Sequence, residues 1–152
     1  MNIILYRDLV RNSGIDPKGI SFFNDVIKEL RPHKSPNQLN ILDFGCGAGS
    51  LVNGLIKKGY NAYGCDVDVN KNLKKKYGDS LYKDNILKPI DINNFQIPFE
   101  NNVFDLVIST SVFEHVFNKE KAFKEIKRVL KKDGLAIHSF PSKYYLPIEP
   151  HL

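Results

Sequence analysis

Three glycines crowd into the stretch NILDFGCGAGS, Asn40 to Ser50, between one short apolar run and the next. A chain that turns from strand to helix through so much bare backbone leaves room for a ligand. Glycine reaches positive φ and puts no side chain in the way. The helix that follows offers unpaired N–H groups and a partial positive charge. A pyrophosphate is the first ligand such a junction suggests. The spacing argues against it. Dinucleotide loops read G-x-G-x-x-G, whereas Gly45, Gly47 and Gly49 read G-x-G-x-G, with Ser50 where a third dinucleotide glycine belongs. No Gly-Lys-Ser/Thr follows, so the loop is not a P-loop either. Asp43, just ahead of the glycines, would repel a pyrophosphate and attract an ammonium. A plain tight turn is the bland alternative.

The remainder of the chain alternates strand and helix signals. Phe22, Phe23, Val26, Ile27 and Leu30 recur at helical spacing, and Pro32 stops the run. RPHKSPNQ, Arg31 to Gln38, reads as a connector. NILDF is a strand, and Leu51, Val52, Leu55 and Ile56 form a helix stripe that ends at Gly59. NAYGCD is a second strand, VNKNLKKKYG a short basic helix and SLYKDNIL a third strand. FDLVIS, Phe104 to Ser109, is apolar enough for burial on both faces. Phe123, Ile126, Val129 and Leu130 make another helix, ended by the Asp133-Gly134 turn, and LAIHSF is a fifth strand. Such alternation predicts an α/β fold, a doubly wound, mostly parallel sheet with helices on both faces. Ligands of such sheets bind at the carboxyl ends of the strands. We expect a helical segment and connector over residues 1–38 and a ligand-binding core over residues 39–152.

Bulk properties narrow the class. A chain of 152 residues with 42% hydrophobic content can bury a sizeable core. No apolar run approaches the ~18 residues of a membrane span. MNIILYRDLVRNSG does not read as a secretory leader, because charges follow directly on Ile3–Leu5. Cys46 and Cys65 sit in no CxxC or Cys/His cluster, so no metal is expected, and both thiols are expected free in a reducing, cytoplasmic compartment. The formal net charge of +5 raises nucleic acid as a partner. Yet the lysines are spread through helical stretches and mixed with Glu, as on solvated helix faces.

The second strand ends in Asp66, about twenty residues beyond the loop, where an acid can accept from two ribose hydroxyls. Asp66 or Asp68 could instead cap a helix. At this point the chain resembles a known family. ILDFGCGAGS, YGCDVD, IPFENNVFDLVISTSVFEHV and FKEIKRVLKKDGLAIHSFPS are similar, in order and spacing, to the class I (Rossmann-like) S-adenosylmethionine-dependent methyltransferases. The small-molecule branch that includes ubiquinone-biosynthesis-type enzymes is the nearest. The resemblance runs from Ile41 to Ser142. It implies S-adenosyl-L-methionine as cofactor, its methionine end held by Asp43 and the loop Gly45, Cys46, Gly47 and Gly49. It implies Asp66 on the ribose, Val67 packed on adenine, Asp91 with Ile92 at the adenine amino group (Asp84 being the alternative), and Ser109 and Thr110 beside the methionine. The family commonly has seven strands, and about five fit here. The last two are therefore expected to be missing, with a second copy or a partner chain completing the sheet edge.

Methyl transfer from a sulfonium is an in-line displacement that rests on positioning, with a base only where the acceptor must lose a proton. Glu114 and His115 follow the fourth strand and are the candidate catalytic pair, His115 as base. A structural role for His115 is the alternative. Small-RNA 2′-O-methyltransferases carry Glu-x-x-Glu-His and a later His for a metal. Here Ser111 replaces the first Glu, although Glu149 and His151 could add ligands. STSVFEH lacks the proline pair of base-amino methylating enzymes and the second glutamate of protein-arginine enzymes. Tyr144, Tyr145, Glu149 and His151 lie where acceptors bind in this fold. The expected function is methyl transfer to a small-molecule acceptor: a metabolite, sugar or lipid precursor. An RNA methyltransferase and a non-catalytic methyltransferase-like subunit or fragment are the alternatives.

Overall fold

The computed structural model describes residues 19–67 and 85–139. Five strands form one parallel sheet: β1 (Asn40–Phe44), β2 (Asn61–Asp66), β3 (Leu87–Pro89), β4 (Phe104–Thr110) and β5 (Leu130–Ser139), in the order β3-β2-β1-β4-β5. Among the described residues β3 and β5 are the edges. The chain fills the sheet outward from β1 to one side, then crosses back to the other. The reversal between β1 and β4 opens a crevice at the carboxyl ends of the strands.

Both faces are covered, as the apolar runs require. Ile41, Leu106, Ile108 and Ile137 pack with Phe22, Phe23, Val26 and Ile27 of α1 (Ile20–Leu30) and with Val52 and Leu55 of α2 (Ser50–Lys57). Their strand neighbours Leu42, Val107 and Ala136 point the other way, onto Ala122, Ile126 and Val129 of α3 (Lys119–Val129). A strand turns successive side chains to opposite faces, so a strand buried on both must be apolar without interruption. β4 is buried at every position but Thr110.

Local chemistry sets the helix ends. The Asn118 side chain accepts the Lys121 N–H at 2.9 Å and caps α3, while Lys127 and Arg128 sit in its last turn against the negative end of the dipole. Connector and sheet are knotted by Asp105, which is buried. It takes Lys34 Nζ at 2.8 Å, Lys131 Nζ at 2.7 Å and the Asn40 N–H at 3.0 Å. Burial alone would raise its carboxyl. The two lysine bonds outweigh that and hold it below the usual carboxylate range.

Three elements differ from the sequence expectation. The third strand is Leu87–Pro89, at the end of the predicted Ser80–Leu87 and beyond it, with Asn85 at φ +55° in the turn before it. The last helix stops at Val129, four residues before the Asp133-Gly134 turn expected to end it. Leu130 to Gly134 instead forms the start of β5: two steps on β4, Phe104 to Leu106, are matched by five on β5, Leu130 to Leu135. Asp133-Gly134 therefore belongs to a bulge. Its Asp133 carbonyl accepts Arg31 Nη2 at 2.5 Å. The expected basic helix over residues 69–78, Asp68, Asp84 and the aromatic tail after Ser139 lie outside the described residues.

Candidate functional site

The glycine loop is strapped to the end of β2. Gly45 and Cys46 both donate N–H to the Cys65 carbonyl, at 2.8 and 3.1 Å, and the Gly47 N–H donates to Asp66 Oδ2 at 2.8 Å. Gly45 and Gly49 require their residue type. Both have positive φ, +78° and +71°. A Cβ on Gly45 would stand 2.3 Å from Val112, so the loop closes directly against the residues that follow β4. Gly49 is also the left-handed N-cap of α2.

At the end of β1, just ahead of this loop, lies Asp43. It is buried, and among the described residues it has no hydrogen-bond or ion-pair partner. Burial first, and the Asp66 charge second, push its carboxyl up to about 7. Cys46 and Cys65 are free and buried, and burial raises both thiols far from the reactive range.

Beyond the loop a cavity of about 680 Å³ opens at the carboxyl ends of the strands. Of the residues expected from sequence, Gly45, Asp66, Val67, Ile92 and His115 line it. Asp43, Cys46, Gly47 and Gly49 stand behind or within the loop and do not form its surface. Glu114 is exposed and is not part of the lining. Asp91 borders a second cavity of about 430 Å³ instead. Its carboxylate is occupied in a turn, accepting the Asn93 N–H at 2.9 Å and Asn94 Nδ2 at 3.0 Å. That turn delivers Ile92, Asn93 and Phe95 to the first cavity. Ser109 and Thr110 are likewise absent from its wall. The Ser109 hydroxyl pairs with His138 Nδ1 at 2.7 Å, beneath Phe113 and Phe123, and burial pushes the His138 ring down to about 4. The Thr110 hydroxyl is buried and has no hydrogen-bond partner among the described residues. The wall is built one step further on, by Ser111 at φ +53° and Val112.

Sequence reading missed Ser111, Val112, Val116, Phe117, Asn118 and Lys121, all but His115 of the wall built by the β4–α3 connection and the first turn of α3. Phe117, at 105% relative exposure, carried a signal: an aromatic in a polar stretch with no helical or strand partner. Ile92 and Val67, 70% and 49% exposed, complete an apolar rim. Among the described residues no three of His, Cys, Asp and Glu gather around one point.

Comparison with known proteins gives this geometry a context. The family described as "Methyltransferase domain" matches residues 42–138. An uncharacterized protein of Methanocaldococcus jannaschii is 33% identical over 115 residues, which cover 76% of this chain and 46% of that one. The malonyl-[acyl-carrier protein] O-methyltransferase of Geobacter sulfurreducens is 34% identical over 97 residues, covering 62% and 36%. The chain thus spans less than half the length of these curated relatives. A TehB-like SAM-dependent methyltransferase from Corynebacterium glutamicum superposes with a TM-score of 0.59 at 28% identity, covering 87% of this chain and 67% of that one.

Proposed function

The chain belongs to the class I, Rossmann-like S-adenosylmethionine-dependent methyltransferases, and from that premise we propose that it transfers a methyl group to a small-molecule acceptor. The observation that carries the reading is Asp43. A carboxylate buried without a counter-charge, beside a loop already gripped by Asp66, is a site waiting for a cation. The cofactor brings an ammonium and a sulfonium, and no phosphate that Asp43 and Asp66 would repel.

The bound cofactor supplies a methyl group already activated on sulfur. The chain's own residues then have to bind and orient. Asp43, behind the loop, and the Gly45–Gly49 backbone would hold the methionine end. Asp66 keeps its grip on Gly47 while its position at the cavity wall suits the ribose hydroxyls. Val67 and Ile92, both apolar and exposed at the rim, suit the two faces of adenine. Asn93 replaces Asp91 as the candidate for the adenine amino group, because Asp91 spends its carboxylate on the turn and Asn93 lines the cavity. A side-chain amide presents both a donor and an acceptor, which is what the adenine edge asks for. His115 remains the candidate base, and Glu114, turned outward, supports it at most from a distance.

Titration of S-adenosylhomocysteine into the chain by calorimetry tests the reading, with Asp66→Ala as the control. The expected result is micromolar binding, weakened at least about ten-fold by the loss of one charge-assisted hydrogen-bonding group. No binding to the folded chain would overturn it in favour of a non-catalytic subunit.

A further inference from the structure

The acceptor's side of the cavity has a character of its own. Ser111, Val112, His115, Val116 and Phe117 come from the connection of β4 into α3 and Lys121 from the first turn of α3, and none is assigned to the cofactor above. The formal charge on this wall is one-sided. Lys121 lines the cavity, while Glu114 does not. The acids within helical reach of Lys121 are engaged elsewhere. Glu125, four residues on, is held by Arg128 at 2.6 Å, and Glu120 pairs with Lys124 at 2.7 Å. Lys121 lowers the Glu125 carboxyl only through space, and among the described residues it has no ion pair of its own. The Asn118 cap fixes the turn from which Lys121 projects. On the same wall stands the fully exposed ring of Phe117, with half-buried Val112 and Val116. Water is an unfavourable neighbour for such a ring, and an apolar ligand is a favourable one.

We infer that the acceptor is an amphiphilic carboxylic acid, its carboxylate paired with Lys121 and its apolar chain laid along Phe117, Val112 and Val116. The inference rests on the methyltransferase reading. Chemistry and charge agree with it. A carboxylate oxygen donates a lone pair to the methyl carbon of the sulfonium. The O–C bond forms as the C–S bond breaks, and the bonding pair returns to sulfur. A methyl ester and a neutral thioether result, and no proton moves, so an acceptor of this class makes no demand on the candidate base His115. The ester has lost the charge that Lys121 held, so the same lysine favours substrate over product.

The test uses the chain saturated with S-adenosylhomocysteine, titrated with octanoate, octanol and octylamine. Octanoate is expected to bind about ten-fold more tightly than either uncharged or cationic analogue, the difference a charge-assisted hydrogen bond makes. Lys121→Glu should abolish that preference and leave S-adenosylhomocysteine affinity unchanged. Lys121→Arg should keep it, and Phe117→Ala should weaken octanoate and octanol alike. With labelled S-adenosylmethionine, methyl octanoate should form in the parent and fall through KM in Lys121→Glu. Equal binding of the three probes, no octanoate binding, or an unchanged Lys121→Glu would overturn the inference while the methyltransferase reading stands. Loss of S-adenosylhomocysteine binding in the parent chain would overturn both.

Discussion

Asp43 shows how a single residue can be costly to the fold and useful to the site. Its carboxyl is raised from 3.8 to about 7, so between those values the folded chain keeps a proton that the unfolded chain has released. The stability contributed by this protonation is complete below about 3.8 and is lost as pH rises through 7. Asp43→Asn should therefore stabilise the cofactor-free chain on the order of 4 kcal/mol at pH 8 and leave it nearly unchanged at pH 4. Urea unfolding at the two pH values measures this, and an equal effect at both would mean that Asp43 is not desolvated. The same variant should lose cofactor affinity, because the neutral amide no longer offers a charge. His138 has the opposite sign. Burial lowers it from 6.5 to about 4, so its contribution is complete above 6.5 and lost as pH falls toward 4. The comparison of variant with parent isolates Asp43 from it.

Among the elements, α3 does more than cover a face of the sheet. Arg128 and Glu125 form a fork, with Nε to Oε1 at 2.8 Å and Nη2 to Oε2 at 2.6 Å. The fork reaches out of the helix to the segment before β4. Arg128 donates to the Ile97 and Phe99 carbonyls and to Asn101 Oδ1, each at 2.8 Å, and Glu125 accepts the Ile97 N–H at 2.8 Å. Lys88 closes on the Phe99 ring from β3, 4.5 Å from its centroid. This clamp fixes the far end of the loop whose near end presents Ile92 and Asn93 to the cavity. Arg128→Ala should cost about 3 kcal/mol, since it strands a partly buried carboxylate and two carbonyls. A cost below about 1 kcal/mol in urea unfolding would show the segment to be held by its apolar contacts alone.

Taken as a whole, the molecule is two apolar clusters divided by the sheet, and the first depends on α1. That helix lies outside the segment matching the methyltransferase family, residues 42–138, yet it supplies four buried apolar side chains, Phe22, Phe23, Val26 and Ile27. Phe23, 1% exposed, stacks edge-on to Phe22 at 5.3 Å. Phe23→Ala should destabilise the chain by about 4 kcal/mol. A loss near zero would mark α1 as an appendage and not a part of the core. The charge distribution also reads differently at this scale. Lys34 and Lys131 are spent on Asp105, Lys124 on Glu120 and Arg128 on Glu125. Among the described residues these four cations are thus engaged in ion pairs within the fold.

The sequence by itself determined the class of fold and the kind of ligand. NILDF and FDLVIS are strands because their short apolar runs admit no amphipathic helix. The Gly45–Gly49 loop with Asp66 points to an adenosine ligand because positive φ is a local requirement, and the resemblance carried by the four motifs names the cofactor. What the tertiary structure decided is direction. Asp91 and Asn93 are two residues apart and equally polar, yet a closed turn consumes one and delivers the other to the cavity. Ser109 is drawn into a pair with His138, a residue distant in sequence that only strand register brings alongside it. Lys121 became distinctive only when its helical neighbours proved to be engaged with others. Periodicity fixes which residues share a face of an element. The packing of loops between elements fixes which side chains meet, and that packing depends on contacts between residues far apart in the chain.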